Sequence, residues 1–173
     1  MWYLNGKPNE IFVSTQDAFS VHEIDAINQI FDATSLDDGV AVNSSTGLRK
    51  SKIGWVDHFN PDLEWIYRKL TDLTINVNEN FFNYDLVSLE SLQLSEYDEF
   101  YEGKYGKHVD YGFDSLINRK LSFSLQLSDS QEYEGGDLLI HHSSKPTITS
   151  KEKGTLTFFP SFLLHEVTPI TKG

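Results

Sequence analysis

The 173-residue sequence contains no cysteine. That absence excludes disulfides, thiolate zinc sites and cysteine nucleophiles. It agrees with a reducing compartment, and a cytoplasmic protein is the expectation. Basic residues are also scarce: 14 Lys and Arg stand against 26 Asp and Glu, a formal charge of -12. Such a surface repels a phosphate backbone at long range, so nucleic acid is not expected as a partner. No apolar run approaches the ~18 residues needed to span a bilayer. The start, MWYLNGKPNEIF, lacks the basic segment and long apolar stretch of a signal peptide. No membrane partner is expected. What is present is 39% hydrophobic and 13% aromatic residues. That composition suits a folded chain, and the length suits one domain over residues 1–173.

Two helices can be read near the start. SVHE at residues 20–23 has the capping-box pattern, with Ser20 and Glu23 each placed to reach the other's backbone N–H. Val21, Ile24, Ile27, Ile30 and Phe31 continue it as a helical stripe. A polar loop is expected from about Thr34 to Ser51, where DDG and NSSTG are turn signals. The second helix opens at NPDLEW, with Asn60 as N-cap and Pro61 as first helical residue. Its stripe runs through Leu63, Ile66, Tyr67, Leu70 and Leu73, and it is expected to fray over 78–83.

From Tyr84 the period changes to two. LVSLESLQLSEY, EFYEGKYGKHVDY, KLSFSLQLS, GDLLIHH, PTITS, GTLTFFPS and HEVTPI read as short strands separated by turn signals. The expectation is a mainly β, α+β domain: a mostly helical part over 1–83 and a jelly-roll core over 84–173. In LSFSLQLS, Leu121, Phe123, Leu125 and Leu127 share one face, and Ser122, Ser124 and Gln126 share the other. The polar face either meets solvent or lines a cavity; alternation alone leaves both open.

Within KYGKHVDYG, His108 and Asp110 stand two apart and so project from one side of a strand. Of the six histidines, His22 and His58 fall at helix starts, and His141 and His142 are neighbours that point to opposite faces. His165 follows the apolar run GTLTFFPSFLL, where a histidine is either a satisfied core residue or a ligand. Two imidazoles and one carboxylate form the ligand set of non-haem Fe(II) oxygen chemistry, with open positions on one side. A closed structural zinc site would take four protein ligands.

The flanking segments resemble the Fe(II)- and 2-oxoglutarate-dependent dioxygenases, in their prolyl 4-hydroxylase-like branch. The family pattern of tyrosine, glycine, tyrosine and HxD is met by Tyr97, Gly103, Tyr105, His108 and Asp110. RKLSFSLQLSDSQEYEGGDLLI resembles the strand that begins with arginine and ends in a double-glycine turn, and GTLTFFPSFLLHEVTPITKG resembles the distal histidine segment. The resemblance implies a double-stranded β-helix (a cupin-like jelly roll) with the N-terminal helices packed on its major sheet. It implies Fe(II) held by His108, Asp110 and His165, with 2-oxoglutarate and O2 as co-substrates and ascorbate as reductant.

By the same resemblance, Tyr97, Tyr105, Gln126 and Leu138 would border the co-substrate. The spacing from Tyr97 to Tyr105 is longer than in the family pattern, which makes Tyr101 an alternative to Tyr97. The family's basic partner for the co-substrate's C5 carboxylate falls beyond Gly173, and Lys172 is the nearest basic residue here. LRKSKIGW resembles the R-x-S-x-x-x-W segment over the active site and ESLQLSEY a substrate-facing strand, implying substrate contacts for Arg49, Ser51, Trp55 and Glu90. The implied reaction is hydroxylation of a proline in a peptide or protein, with decarboxylation of 2-oxoglutarate to succinate and CO2. The open alternatives are the same chemistry on another substrate and a non-catalytic jelly-roll binding module.

Overall fold

The computed structural model describes residues 10–39, 47–111 and 119–173. Helix α1 spans Val21–Ala33, and its capping box is formed: the Glu23 N–H donates to Ser20 Oγ at 3.3 Å, and the Ser20 N–H to the Glu23 carboxylate at 2.7 Å. Asn60 caps a 3-10 turn, Pro61–Leu63, which leads into α2 at Glu64–Val77. The expected fraying does not occur. The chain widens into a π-helical turn over Asn78–Phe82, closed by Asn83 in the left-handed region. The Asn78 side chain accepts from the Tyr84 N–H at 2.9 Å and donates to the Tyr84 carbonyl at 2.8 Å, so it replaces the partners that a helix end leaves unmet.

The strands are β1 (Val13–Thr15), β2 (Asp37–Asp38), β3 (Arg49–Lys50), β4 (Lys52–Val56), β5 (Leu92–Glu96), β6 (Lys104–His108) and β7 (Leu121–Leu125). They continue with β8 (Glu134–Gly135), β9 (Leu138–His141), β10 (Thr147–Ile148), β11 (Leu156–Pro160), β12 (Leu164–Val167) and β13 (Ile170–Lys172). Among the described residues four sheets result, in the orders β1-β11-β7, β10-β9-β12-β6-β3, β2-β4-β5 and β13-β8. The described pairings are antiparallel.

The mainly β architecture is the one expected, with helices on one face of the β1-β11-β7 sheet. Leu156 and Phe158 of β11 pack there with Ile24 and Ile27 of α1 and Ile66, Leu70 and Val77 of α2, flanked by Leu121, Phe123 and Leu125. The other face of the sheet points inward, where Phe159 meets Leu138 and Ile140 of the opposing five-stranded sheet. Every residue of β11 is buried, as expected of a strand covered on both sides. Ser122 and Ser124 stand opposite Phe159 and Thr157, so the polar face of β7 lines the interior of the roll.

Several boundaries differ from expectation. The described residues before Asn83 carry both helices, as expected, and they also supply strands: β1 joins β11, and β3 joins β6, so this part extends both sheets of the roll. The expected loop over 34–51 contains β2 and β3, and most of its NSSTG turn lies outside the described residues. Strands as short as VST, DD and RK carry no readable alternation, because long-range pairing creates them. Residues 83–91 form no strand, and Glu99–Tyr101 is a 3-10 turn. Among the described residues, no helix is long and apolar enough to cross a membrane.

Candidate metal centre

His108 ends β6, and His165 lies directly across from it on β12. Directly opposed residues project to the same face, so both imidazoles point into the interior. The rings are 4.1 Å apart at 54°. Asp110 follows two residues after His108, and its backbone is fixed by Ser161. The Ser161 carbonyl accepts from the Asp110 N–H at 2.9 Å and from the Tyr111 N–H at 3.1 Å. Ser161 is fully buried; its N–H donates to the Lys120 carbonyl at 3.0 Å, and its hydroxyl meets that of Ser122 at 2.9 Å. One turn residue thus ties together the ends of β6, β7 and β11.

Asp110 Oδ1 lies 3.6 Å from His108 Nε2 and 3.6 Å from His165 Nε2. One donor atom from each residue falls within 4.8 Å of the others. The Nδ1 of His108 is 2.8 Å from the Gly106 carbonyl, and that of His165 is 2.9 Å from the Leu163 carbonyl. A carbonyl only accepts, so each Nδ1 is the protonated nitrogen and each Nε2 keeps its lone pair for a cation. Burial, aided by the neighbouring His165, pushes the His108 pKa down to about 4. At neutral pH this imidazole is uncharged, the form that ligates metal. The donor set fits a divalent iron held on one side.

A second layer surrounds the triad. The Tyr105 ring stacks on His108 at 3.5 Å and 13°, and the Arg49 guanidinium lies over Tyr105 at 4.6 Å. Arg49 donates to Ser51 Oγ at 2.7 Å, Gln93 Oε1 at 2.8 Å and Ser95 Oγ at 3.2 Å. Tyr97 hydrogen-bonds Arg49 and feels the charge of Asp110; burial raises its pKa, and Arg49 opposes the rise. Tyr97 therefore faces the site. Its rival Tyr101 turns away, donating to the Glu96 carbonyl at 3.1 Å. Gly103 lets the chain fold back here, since a Cβ would come within 2.8 Å of Tyr97 Cα.

The other expected residues divide. Leu138 is buried beside Phe159, whose ring lies 4.7 Å from that of His165. Gln126 continues the inward face of β7, its N–H donating to the Thr155 carbonyl at 3.0 Å. Ser51 is buried under Arg49. Trp55 is 55% exposed on β4, across from Gln93, and shares that outward face with the groups that hold Arg49. Glu90 is not free to greet a ligand: Arg119 grips its carboxylate with contacts of 2.7 to 3.0 Å. Lys172 is not brought to the cluster. Its side chain is 70% exposed on β13, and its ammonium lies 3.4 Å from Glu134, which corrects the expectation drawn from its sequence position.

Arg119, marked in the sequence only as the arginine that opens a strand motif, and Ser161 are contributors to which no site role was assigned. The Glu90 carboxylate holds the Arg119 guanidinium in its charged form, and the charge of Asp110 adds to this. A serine inside the apolar FFPSFLLH turn was the available sign of Ser161.

Comparison with known proteins agrees with this geometry. Residues 92–173 match the sequence model of the 2OG-Fe(II) oxygenase superfamily. A PKHD-type hydroxylase of Idiomarina loihiensis is 33% identical over 87 residues; the match covers 50% of this chain but only 37% of that relative's length. A Pseudomonas putida prolyl-4-hydroxylase superposes with a TM-score of 0.72 at 19% identity, covering 94% of this chain and 86% of that one. A prolyl hydroxylase from Trichoplax adhaerens, solved with a hypoxia inducible factor oxygen degradation domain peptide fragment, superposes at 0.70 with 16% identity, covering 94% and 79%. The resemblance read from the motifs agrees with these findings: residues 92–173 match the 2OG-Fe(II) oxygenase superfamily model, and the described chain has the fold seen in the two prolyl hydroxylases.

Proposed function

We propose that the protein is an Fe(II)- and 2-oxoglutarate-dependent dioxygenase that hydroxylates a proline within a peptide or protein. The observation that carries this reading is the triad: two Nε2 atoms and one carboxylate oxygen within 4.8 Å, with both Nδ1 atoms committed to backbone carbonyls. Iron bound there, with 2-oxoglutarate and O2, supplies the oxidation, in which one oxygen atom enters the target C–H bond as 2-oxoglutarate becomes succinate and CO2.

The chain supplies placement. His108, Asp110 and His165 would hold the iron, and with three protein donors they would leave coordination positions to the co-substrate. Tyr97, Tyr105, Gln126 and Leu138 border the co-substrate, with the phenols as donors to a carboxylate. Phe159, Leu138 and Ile140 wall the interior and limit water. Trp55 and the groups around Arg49 and Ser51 form the outer surface along which a peptide would lie, and the Arg119–Glu90 pair borders it. A peptidyl substrate is supported by the Trichoplax neighbour, solved with a peptide, and a proline target by the hydroxylases of like fold.

The test is succinate formation by the full-length protein with Fe(II), ascorbate and 2-oxoglutarate in air, beside His108→Ala. Succinate from the wild type alone supports the oxygenase reading. A mass shift of one oxygen on proline peptides then supports the substrate, and its absence with active enzyme removes proline but keeps the oxygenase. No succinate from protein that holds iron overturns the reading in favour of a binding module.

A further inference from the structure

We propose that Arg49 is a positioning residue for the metal centre, acting through Tyr105 on the ligand His108. The inference rests on the reading of His108 as a metal ligand and adds a residue from a neighbouring strand of the same sheet.

The geometry is a column. The imidazole of His108 is nearly parallel to the Tyr105 ring, 3.5 Å away. That contact fills one face of the phenol. The guanidinium 4.6 Å over the same ring therefore occupies the other face. Cation and aromatic face attract, and the planar guanidinium matches a flat ring. The hydrogen bond from Nδ1 to the Gly106 carbonyl fixes the tautomer of His108. It leaves a rocking motion of the ring about that bond. Tyr105, flat against one face, resists that rocking in proportion to how firmly it is itself held.

Arg49 does the holding. Its Nε–H and one terminal nitrogen are fixed by Ser51, Gln93 and Ser95. Gln93 and Ser95 belong to β5 in the β2-β4-β5 sheet, whereas Arg49, Tyr105 and His108 belong to the five-stranded sheet. The guanidinium thus braces the ligand strand against a second sheet. Among the described residues it has no carboxylate within ion-pair distance, although the chain carries 26 acidic residues. Neutral acceptors leave its charge for the ring below. Exposed positions elsewhere pair lysines with acids freely; this arginine is held by amide and hydroxyl oxygens instead.

The test is Co(II) binding to the substrate-free, full-length protein, read by calorimetric affinity and by the visible spectrum of the bound ion. Arg49→Leu and Tyr105→Leu each weaken Co(II) by about 10- to 100-fold, the usual cost of losing an outer partner of a metal ligand. The double variant is no weaker than the worse single one, because the two act in series. Tyr105→Phe keeps the ring and stays near wild type. Arg49→Lys, the mild replacement should leucine unfold the chain, also weakens Co(II), since an ammonium cannot stack or fork. A residue that only contacts substrate would move neither readout. Wild-type affinity and spectrum in Arg49→Leu and Arg49→Lys, or losses that multiply in the double variant, would overturn the proposal. Unchanged Co(II) binding by His108→Ala would instead overturn the metal-site reading beneath it.

Discussion

Adding a divalent ion to the metal-free protein raises its unfolding temperature, and His165→Ala removes most of that rise. The three donor atoms already lie within 4.8 Å of one another, and both imidazoles are held by backbone carbonyls. Binding then needs little rearrangement, so its free energy appears as stability of the native state. With free ion at about 100 times the dissociation constant, the gain is ~2.7 kcal/mol. A domain of this length shifts by ~2–4 °C per kcal/mol, so the rise is ~5–11 °C. His165→Ala lowers the baseline as well, because the ring is buried and packs against Phe159. The comparison is therefore the shift within each variant, with and without ion. Scanning calorimetry with Co(II), reversed by a chelator, measures it. A wild-type transition that stays put at millimolar Co(II), or a His165→Ala protein that shifts equally, refutes the reasoning.

Four further outcomes are expected. Glu23→Gln weakens the joint between α1 and α2: Lys69 holds the Glu23 carboxylate, with the Ser20 N–H, at a pKa of about 2 instead of 4.5. That sets a ceiling of ~3 kcal/mol, which solvent at these 30%-exposed side chains reduces to ~1–2. The folded pKa is depressed, so the contribution is full above pH 4.5 and fades toward pH 2; urea titrations must show the gap between wild type and variant closing in acid, and a constant gap contradicts it. Tyr97→Phe lowers succinate formation about tenfold, the worth of one ~1.4 kcal/mol hydrogen bond, whereas Tyr101→Phe leaves turnover unchanged; reversed effects would mean that the wrong tyrosine has been placed at the site. Gly135→Ala costs more than ~2 kcal/mol in chemical denaturation, because φ there is +80° and the new methyl meets the Pro169 carbonyl oxygen. Lys172→Ala changes stability by less than ~0.5 kcal/mol, since its contact with Glu134 is solvent-exposed, and leaves the KM for 2-oxoglutarate unaltered.

The parts legible in the sequence were those with local causes. The Ser20–Glu23 box is four residues of backbone chemistry, and it forms as written. His108 and Asp110 converge because a strand returns to the same side every two residues. The inward Ser122–Ser124 face needed the opposing sheet before solvent could be separated from interior. What stayed hidden depends on distant partners. β1 and β3 exist because β11 and β6 offer them free edges, not because VST or RK prefer extension. Glu90 lost its expected freedom to Arg119, a cation 29 positions away whose direction the sequence does not encode. Lys172 stood close to the expected anchor in number alone; the antiparallel pairing of β13 with β8 carries it toward Glu134 instead. The Arg49 column joins residues of three strands, so no single window contains it.

The pairing of the first strand with one of the last has a consequence for synthesis. Ser14 and Thr157 touch although they stand 143 positions apart, and His165 enters the chain only after that. A ribosome making this protein from its N-terminus can let α1 and α2 collapse early. It cannot close the roll until β11 has emerged, nor complete the triad until β12 has. Contacts of such separation make folding slow, because the loop entropy must be lost before any contact repays it. On the proposed metal reading, an ion met during translation would find only His108 and Asp110 on the nascent chain, a weak pair of donors. The third donor, His165, arrives only with β12, so capture of the ion and completion of the fold would become one event.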